Sequence, residues 1–174
     1  GPELVHYKVD TARFPPGKLV LTDPQGKAVP FQIDGQVLAF VASVARGQSV
    51  TYTLAASATD RSAENSALKC AFQGDGVEVS NEFLALRLPK AEGKTYDTPV
   101  AAAAAPAPLT RWRPAGTEQW IGGARFATTR KIRSHSFRLL RQGPACVEYE
   151  ARYTFEPKGE YVMRIRVAGG MPVV

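Results

Sequence analysis

The chain has 174 residues, with 15 glycines, 13 prolines and a net charge of +6. That length buries one good core or two small ones, and dense Gly and Pro without a long helical period point to an all-β fold. No uninterrupted apolar run is long enough to span a bilayer, and two cysteines far apart, with only His6 and His135 beside them, do not make a zinc site.

Residues 1–56 read as a first unit. LVHYKV is a strand, and KLVLT and AVPFQI flank the Pro/Gly turn Asp23-Pro24-Gln25-Gly26-Lys27. AVPFQI and QVLAFVA flank Asp34-Gly35, the strongest two-residue hairpin signal in the chain. That turn sets Ile33 against Gln36, Phe31 against Leu38 and Val29 against Phe40. SVTYTLAA supplies a fifth strand. Five short strands make a small sandwich or barrel whose modest core leans on the next unit of the chain.

Residues 57–66, SATDRSAENS, are polar and aperiodic, the composition of a linker. Residues 67–174 read as an antiparallel β-sandwich. Leu68, Cys70 and Phe72 share a strand face, Gly74-Asp75-Gly76 turns, and strands flank Ser80-Asn81-Glu82. The Gly-Asp-Gly turn lacks the spaced acidic ligands of a calcium loop. Residues 89–114 contain five consecutive alanines followed by Pro106-Ala107-Pro108 and read as a long surface loop. In KIRSHSFRLL, strict alternation puts Lys131, Arg133 and His135 on one face, continuing into Phe137 and Leu139.

The last pair of strands is the clearest. Val147, Tyr149, Ala151, Tyr153 and Phe155 alternate with Glu148, Glu150, Arg152 and Thr154, and Tyr161, Met163, Ile165 and Val167 alternate with Val162, Arg164 and Arg166. Period two with aromatic and β-branched residues on one face is a half-buried strand. Joined through Pro157-Lys158-Gly159, the two form a hairpin that sets Phe155 against Tyr161, Tyr153 against Met163 and Tyr149 against Val167. On the other face, Arg164 then meets Arg152 and Arg166 meets Glu150. AGGMPVV breaks off where another strand begins, so the sandwich is expected to be truncated at its C-terminal end. Cys70 and Cys146 both lie in strands, which leaves a disulfide and two buried thiols equally open.

The charge is unevenly spread. Between Arg111 and Arg141, eight basic residues stand against the single acid Glu118. Both a solvated basic surface and a surface for a polyanion fit that pattern.

LVLTDPQGKAVPFQIDGQVLAFVASVARGQSVTYTL resembles the small β domains that precede the sandwich in multidomain carbohydrate-active enzymes. VEVSNEFLALRLP and GPACVEYEARYTFEPKGEYVMRIRVAGG resemble the opening strands of the large galactose-mutarotase-like sandwich of glycoside hydrolases and polysaccharide lyases. The arrangement is most similar to the exo-acting rhamnogalacturonan lyase type, in which a small barrel and a central sandwich precede an α/α toroid. The resemblance implies an accessory, non-catalytic β module of a secreted or periplasmic polysaccharide-degrading enzyme, with the remainder of a larger parent chain as a partner. It transfers no catalytic residue. Mutarotases use paired histidines and a carboxylate, and this chain offers His135 without a convincing second histidine, which speaks against that activity.

A free-standing carbohydrate-binding or structural module is the alternative, and a small enzyme using Glu148, Glu150 or Asp97 is a third reading. Carboxylates beside arginines on an outward strand face are more often cross-strand ion pairs. The expected ligand is an acidic, uronate-containing polysaccharide, met by Arg111, Trp112, Arg113, Trp120, Lys131, Arg133 and His135. Guanidinium groups suit a carboxylate because they donate two parallel hydrogen bonds. Trp112, Trp120 and Tyr96 are the aromatics available for stacking on sugar, with core packing as their competing role. No cofactor, metal or membrane is expected, and the interleaving of aromatic and basic residues that marks a nucleic-acid module is missing.

Overall fold

The structure, a computed structural model describing residues 1–172, is all-β, with antiparallel sheets and a single 3-10 turn over Ala102–Ala104. The first five strands are β1 (Pro2–Lys8), β2 (Leu19–Thr22), β3 (Phe31–Asp34), β4 (Val37–Ser43) and β5 (Thr53–Ala56). They form a three-stranded sheet in the order β1-β4-β3 and a separate β2-β5 ribbon, so the unit is open and not a closed barrel. Alternation explains the packing. Leu19 and Leu21 from the ribbon meet Phe31, Leu38, Phe40 and Ala42 from the sheet in one buried cluster. Each large apolar side chain taken out of water stabilises the fold by about 1.5–3 kcal/mol.

The β3–β4 hairpin has a two-residue loop, but it is Gly35-Gln36 and not Asp34-Gly35. Asp34 pairs with Val37, Ile33 with Leu38 and Phe31 with Phe40. Gly35 has φ +61° at the first central position, where a type II′ turn places glycine. The shift moves every pair by two residues and leaves the faces unchanged, because side chains alternate with period two.

The remaining strands are β6 (Lys69–Gln73), β7 (Gly76–Ser80), β8 (Leu84–Pro89), β9 (Gly93–Ala101), β10 (Arg111–Pro114), β11 (Ile121–Gly122), β12 (Lys131–Gln142), β13 (Cys146–Glu156) and β14 (Glu160–Ala168). They build a five-stranded sheet, β11-β10-β8-β7-β6, and a four-stranded sheet, β14-β13-β12-β9. Val77, Val79, Leu86 and Leu88 of the first pack against Ile132, Phe137, Tyr149, Tyr153, Ile165 and Val167 of the second, forming a sandwich core. Tyr149 and Tyr153 keep their hydroxyls satisfied inside it by donating to the carbonyls of Pro89 and Pro106, at 2.9 and 2.7 Å. Buried polar groups need such partners.

Three expectations about this sandwich are corrected. Residues 89–114 are not one long loop, since they contain β9, which pairs with β12 as an edge strand. Its sequence hides it, because a mostly exposed edge strand carries no apolar alternation.

The β13–β14 register differs by two residues. Tyr153 pairs with Tyr161, Ala151 with Met163 and Tyr149 with Ile165. The connection closes on a Phe155 N–H to Gly159 carbonyl bond of 2.8 Å, a longer loop than Pro157-Lys158-Gly159 alone. Electrostatics favours this register. It sets Arg164 against Glu150 and Arg166 against Glu148, where the shorter turn would have opposed Arg164 to Arg152.

The third correction lies in β12. Its register with β13 shifts between Ile132 and Ser134, leaving Arg133 as the extra residue of a bulge, and the ladder with β9 breaks at the same place. Parity therefore changes within the strand. Ile132, His135 and Phe137 point into the core, while Lys131 stays exposed and Arg133 only partly covered. The three basic residues do not share a face.

Residues 57–66 contain no strand and are tied down on both sides. Arg61 and Ser57 donate backbone bonds to Leu19 and Lys18, Phe31 donates to Ser62, and Ser66 Oγ donates to the Pro144 carbonyl at 2.8 Å. Buried Gln32 also bridges the two clusters. It accepts from the Cys146 N–H at 2.9 Å and donates to Asp34 at 2.9 Å. Gly143 is needed beside it, because a Cβ there would lie 2.4 Å from Gln32 Oε1 and 2.9 Å from its Cβ. The strand expected to begin in the closing AGGMPVV reaches Val173 and Val174, outside the described residues.

Candidate functional site

Four of the seven predicted ligand residues lie in or beside the five-stranded sheet, Arg111, Trp112 and Arg113 on β10 and Trp120 just before β11. Strand β10 sits between β8 and β11, with Arg111 opposite Arg87 and Gly122, and Trp112 opposite Leu86 and Ile121. Leu86 faces the core, so Arg87, Arg111 and Arg113 face outward. Arg87 in turn stands opposite Glu78 of β7. The outer face thus carries three arginines and one carboxylate across three neighbouring strands.

Trp120 organises them. The Arg113 guanidinium lies 4.8 Å from the centre of its ring and that of Arg87 lies 5.7 Å away. Guanidinium stacking on an indole face is favourable and restrains both side chains. Arg113 is further held by the Thr117 carbonyl and by Glu78 at 3.5 Å, and its Nε is buried without a partner. Arg87 donates to Gln73 at 3.1 Å. Among the described residues neither Arg87 nor Arg111 forms an ion pair. Two like charges directly opposite on a ladder repel, and no ion pair within the described residues neutralises these.

Trp120 is consequently occupied by the protein's own cations, and of the two tryptophans Trp112 is the one with a free surface. Trp112 is 38% exposed, and neighbouring Ile121 is 45% exposed. Both lie on the reverse side of β10 from the arginines, at the edge of the sheet. Tyr96, the other stacking candidate, is partly buried against His135, with the Lys94 ammonium 5.0 Å from its ring centre.

Lys131, Arg133 and His135 belong to the other sheet and do not join this cluster. Arg133 is bound to Glu156 at 3.0 Å and to the Asp97 carbonyl at 3.3 Å, and Lys131 stands opposite Glu156. His135 is 3% exposed, packed among aromatic rings, with neither ring nitrogen hydrogen-bonded. Burial lowers its pKa, opposed by Glu92 and assisted by Lys94.

The proposed acids are equally committed. Glu150 is buried and bound by Arg164 at 2.9 Å and Arg152 at 3.4 Å, and these bonds, Arg164 first, hold its carboxyl below the usual range. Glu148 is shared by Arg166 and Arg141. A carboxylate pinned in its ionised form is poorly suited to donate a proton at neutral pH. Cys70 and Cys146 are free thiols, and burial pushes that of Cys146 up to about 11, so it is a weak nucleophile. A groove of about 390 Å³ lies where the two clusters adjoin, but it is walled mainly by Pro, Val, Ala and Gly, with Glu82 as its one charged group.

Arg87 was not singled out by sequence reasoning, although FLALRLP holds it as the lone cation among apolar alternation. Its relevance comes from the register that faces it with Arg111. Comparison with known proteins returns no matching family, no matching curated protein and no matching solved structure.

Proposed function

We propose that the chain is an accessory, non-catalytic β module of a secreted polysaccharide-degrading enzyme, of the lyase or glycoside hydrolase kind. In this reading it holds an acidic glycan on the outer face of the five-stranded sheet. The supporting observation is the pairing of Arg87 with Arg111 across the β8–β10 ladder, with no carboxylate of the described residues bound to either. A uronate carboxylate between them would remove the repulsion and accept two parallel hydrogen bonds. Trp120 holds Arg87 and Arg113 in place, which limits the side-chain entropy lost on binding. Trp112 and Ile121, on the reverse side of β10, offer an apolar strip to sugar rings that continue around the sheet edge.

The exposure of Trp112 also suits the alternative, a free-standing carbohydrate-binding module. Both readings predict the same ligand and differ only in what the module is joined to.

Titration with a uronate oligosaccharide, then with a neutral one of equal length, tests the site. The acidic ligand is expected to bind more tightly and to weaken with salt, because exposed charges are screened over roughly 10 Å at about 0.1 M. Equal heats for both ligands, or no loss with Arg111→Ala, would rule the face out.

A further inference from the structure

His135 faces inward from β12 between three rings. Tyr96 of β9 lies at 5.7 Å, Phe137 at 5.0 Å and Tyr153 of β13 at 6.2 Å between ring centres. Neither of its ring nitrogens has a partner, and the Tyr153 hydroxyl is committed to the Pro106 carbonyl. The ionisable groups around it are few. Lys94 stands opposite on β9 with its ammonium over Tyr96, Glu92 lies just before β9, and Tyr96 and Tyr153 are the remaining titratable neighbours.

Strand β9 is lightly covered, as are β6, β10 and β11. It is an edge strand that pairs only with β12, and no residue along it is fully buried. Its ladder is interrupted, passing from Thr95 opposite Ser134 to Val100 opposite Ile132. Elements with few buried contacts open first.

We propose that His135 is an acid-sensitive latch, holding β9 on the sandwich at neutral pH and releasing it as the pH falls. The imidazole fits its aromatic surroundings only when neutral. Protonation places an unpaired cation in a site with a lysine opposite, and separation of β9 is the route by which that cation reaches water. Linkage sets the sign. The open form binds the extra proton, so the closed form is fully favoured above the ordinary histidine pKa of about 6.5 and loses ground below it. This inference is independent of the glycan reading, because β9 lies in the sheet opposite the arginine cluster.

Amide hydrogen exchange at pH 7.5 and 5.0, corrected for intrinsic rates, is the test. The opening equilibrium of the β9 amides is expected to rise by up to about thirtyfold at pH 5.0, the ratio set by a histidine of pKa about 6.5 in the open form. Amides of the β13–β14 ladder should not follow, and His135→Phe should abolish the rise. If that variant does not fold, His135→Gln takes its place. The wild-type ring is followed by NMR as well, where His6 gives the one other histidine signal. The proposal is overturned by β9 protection that is equal at both pH values or by the same rise in the variant. Opening of β13–β14 in step with β9 would overturn it too, as would a His135 ring that titrates at 6.5 or above with β9 still paired.

Discussion

The two outer faces of the larger sandwich are built from the same residue types and behave in opposite ways. On the four-stranded sheet, Glu148 and Glu150 sit between Arg141, Arg152, Arg164 and Arg166, and each carboxylate answers two guanidinium groups. On the five-stranded sheet, Arg87, Arg111 and Arg113 have only Glu78 among them, and Arg113 takes it. The first face is nearly closed on itself: of the arginines on β12, β13 and β14, Arg138 alone has no ion pair among the described residues. The second leaves Arg87 and Arg111 opposite each other with no ion pair among the described residues, which in the proposed reading an outside anion completes. A run of arginines in a sequence therefore says little about binding until the register shows which carboxylates lie opposite.

The contrast between the faces is broken most severely at Glu150. Replacing this carboxylate, 6% exposed, with Ala leaves Arg152 and Arg164 without their shared acceptor. The largest fall in Tm among the charge variants is expected there, with glycan affinity unchanged. A loss of affinity equal to that of an arginine variant would show that the two faces are not separate. The same carboxylate sets a pH dependence. Its folded pKa lies below that of the unfolded chain, so its contribution is complete above about 4.3. That contribution is lost as the pH falls through the lowered folded value. Glu150→Gln should flatten the acid limb of a Tm against pH curve.

Next in size is the open face itself. Arg111→Ala removes a charge-assisted contact worth roughly 1.5–3 kcal/mol, so Kd for a uronate oligosaccharide should rise by about tenfold or more. Arg133→Ala, on the other sheet, should leave that Kd where it is, and isothermal titration of the two side by side makes the contrast direct. Trp120→Ala acts through Arg87 and Arg113 and is expected to weaken binding by less than Arg111→Ala, about threefold, since a cation–π contact at an exposed site is worth roughly 0.5–1 kcal/mol. A larger loss than for Arg111→Ala would instead mark Trp120 as a direct contact.

The smallest effect is the most telling. Without ligand, Arg111→Ala should raise stability by about 0.2–1 kcal/mol, because it removes repulsion from Arg87 across the ladder. Destabilisation by Arg111→Ala would mean that the arginine is held by a contact within the chain and is not waiting for one.

Much of the fold is legible without coordinates. Alternation in LVLT, FQID, VLAFVAS, CVEYEARYTFE and EYVMRIRV assigns each strand and the face it buries, since a pleated backbone sends successive side chains to opposite sides. Strand β9 escapes because GKTYDTPVA lies on an edge and buries almost nothing. The candidate site is legible in part. Arg111, Trp112, Arg113 and Trp120 are close in sequence and stay close in space, but Arg87 joins them only through the β8–β10 pairing.

Where apolar and polar residues alternate without interruption, the amino-acid pattern by itself determines strand identity and facing, because both depend on neighbours along the chain. Register, bulges and charge pairing depend on residues far apart. Slipping a hairpin by two positions keeps every side chain on its face while changing every partner, so local pattern cannot choose between the two. Tertiary structure made that choice where it set Arg164 against Glu150, and Arg111 against Arg87. It also placed one extra residue at Arg133, and that single bulge separates His135, in the core, from Lys131 at the surface.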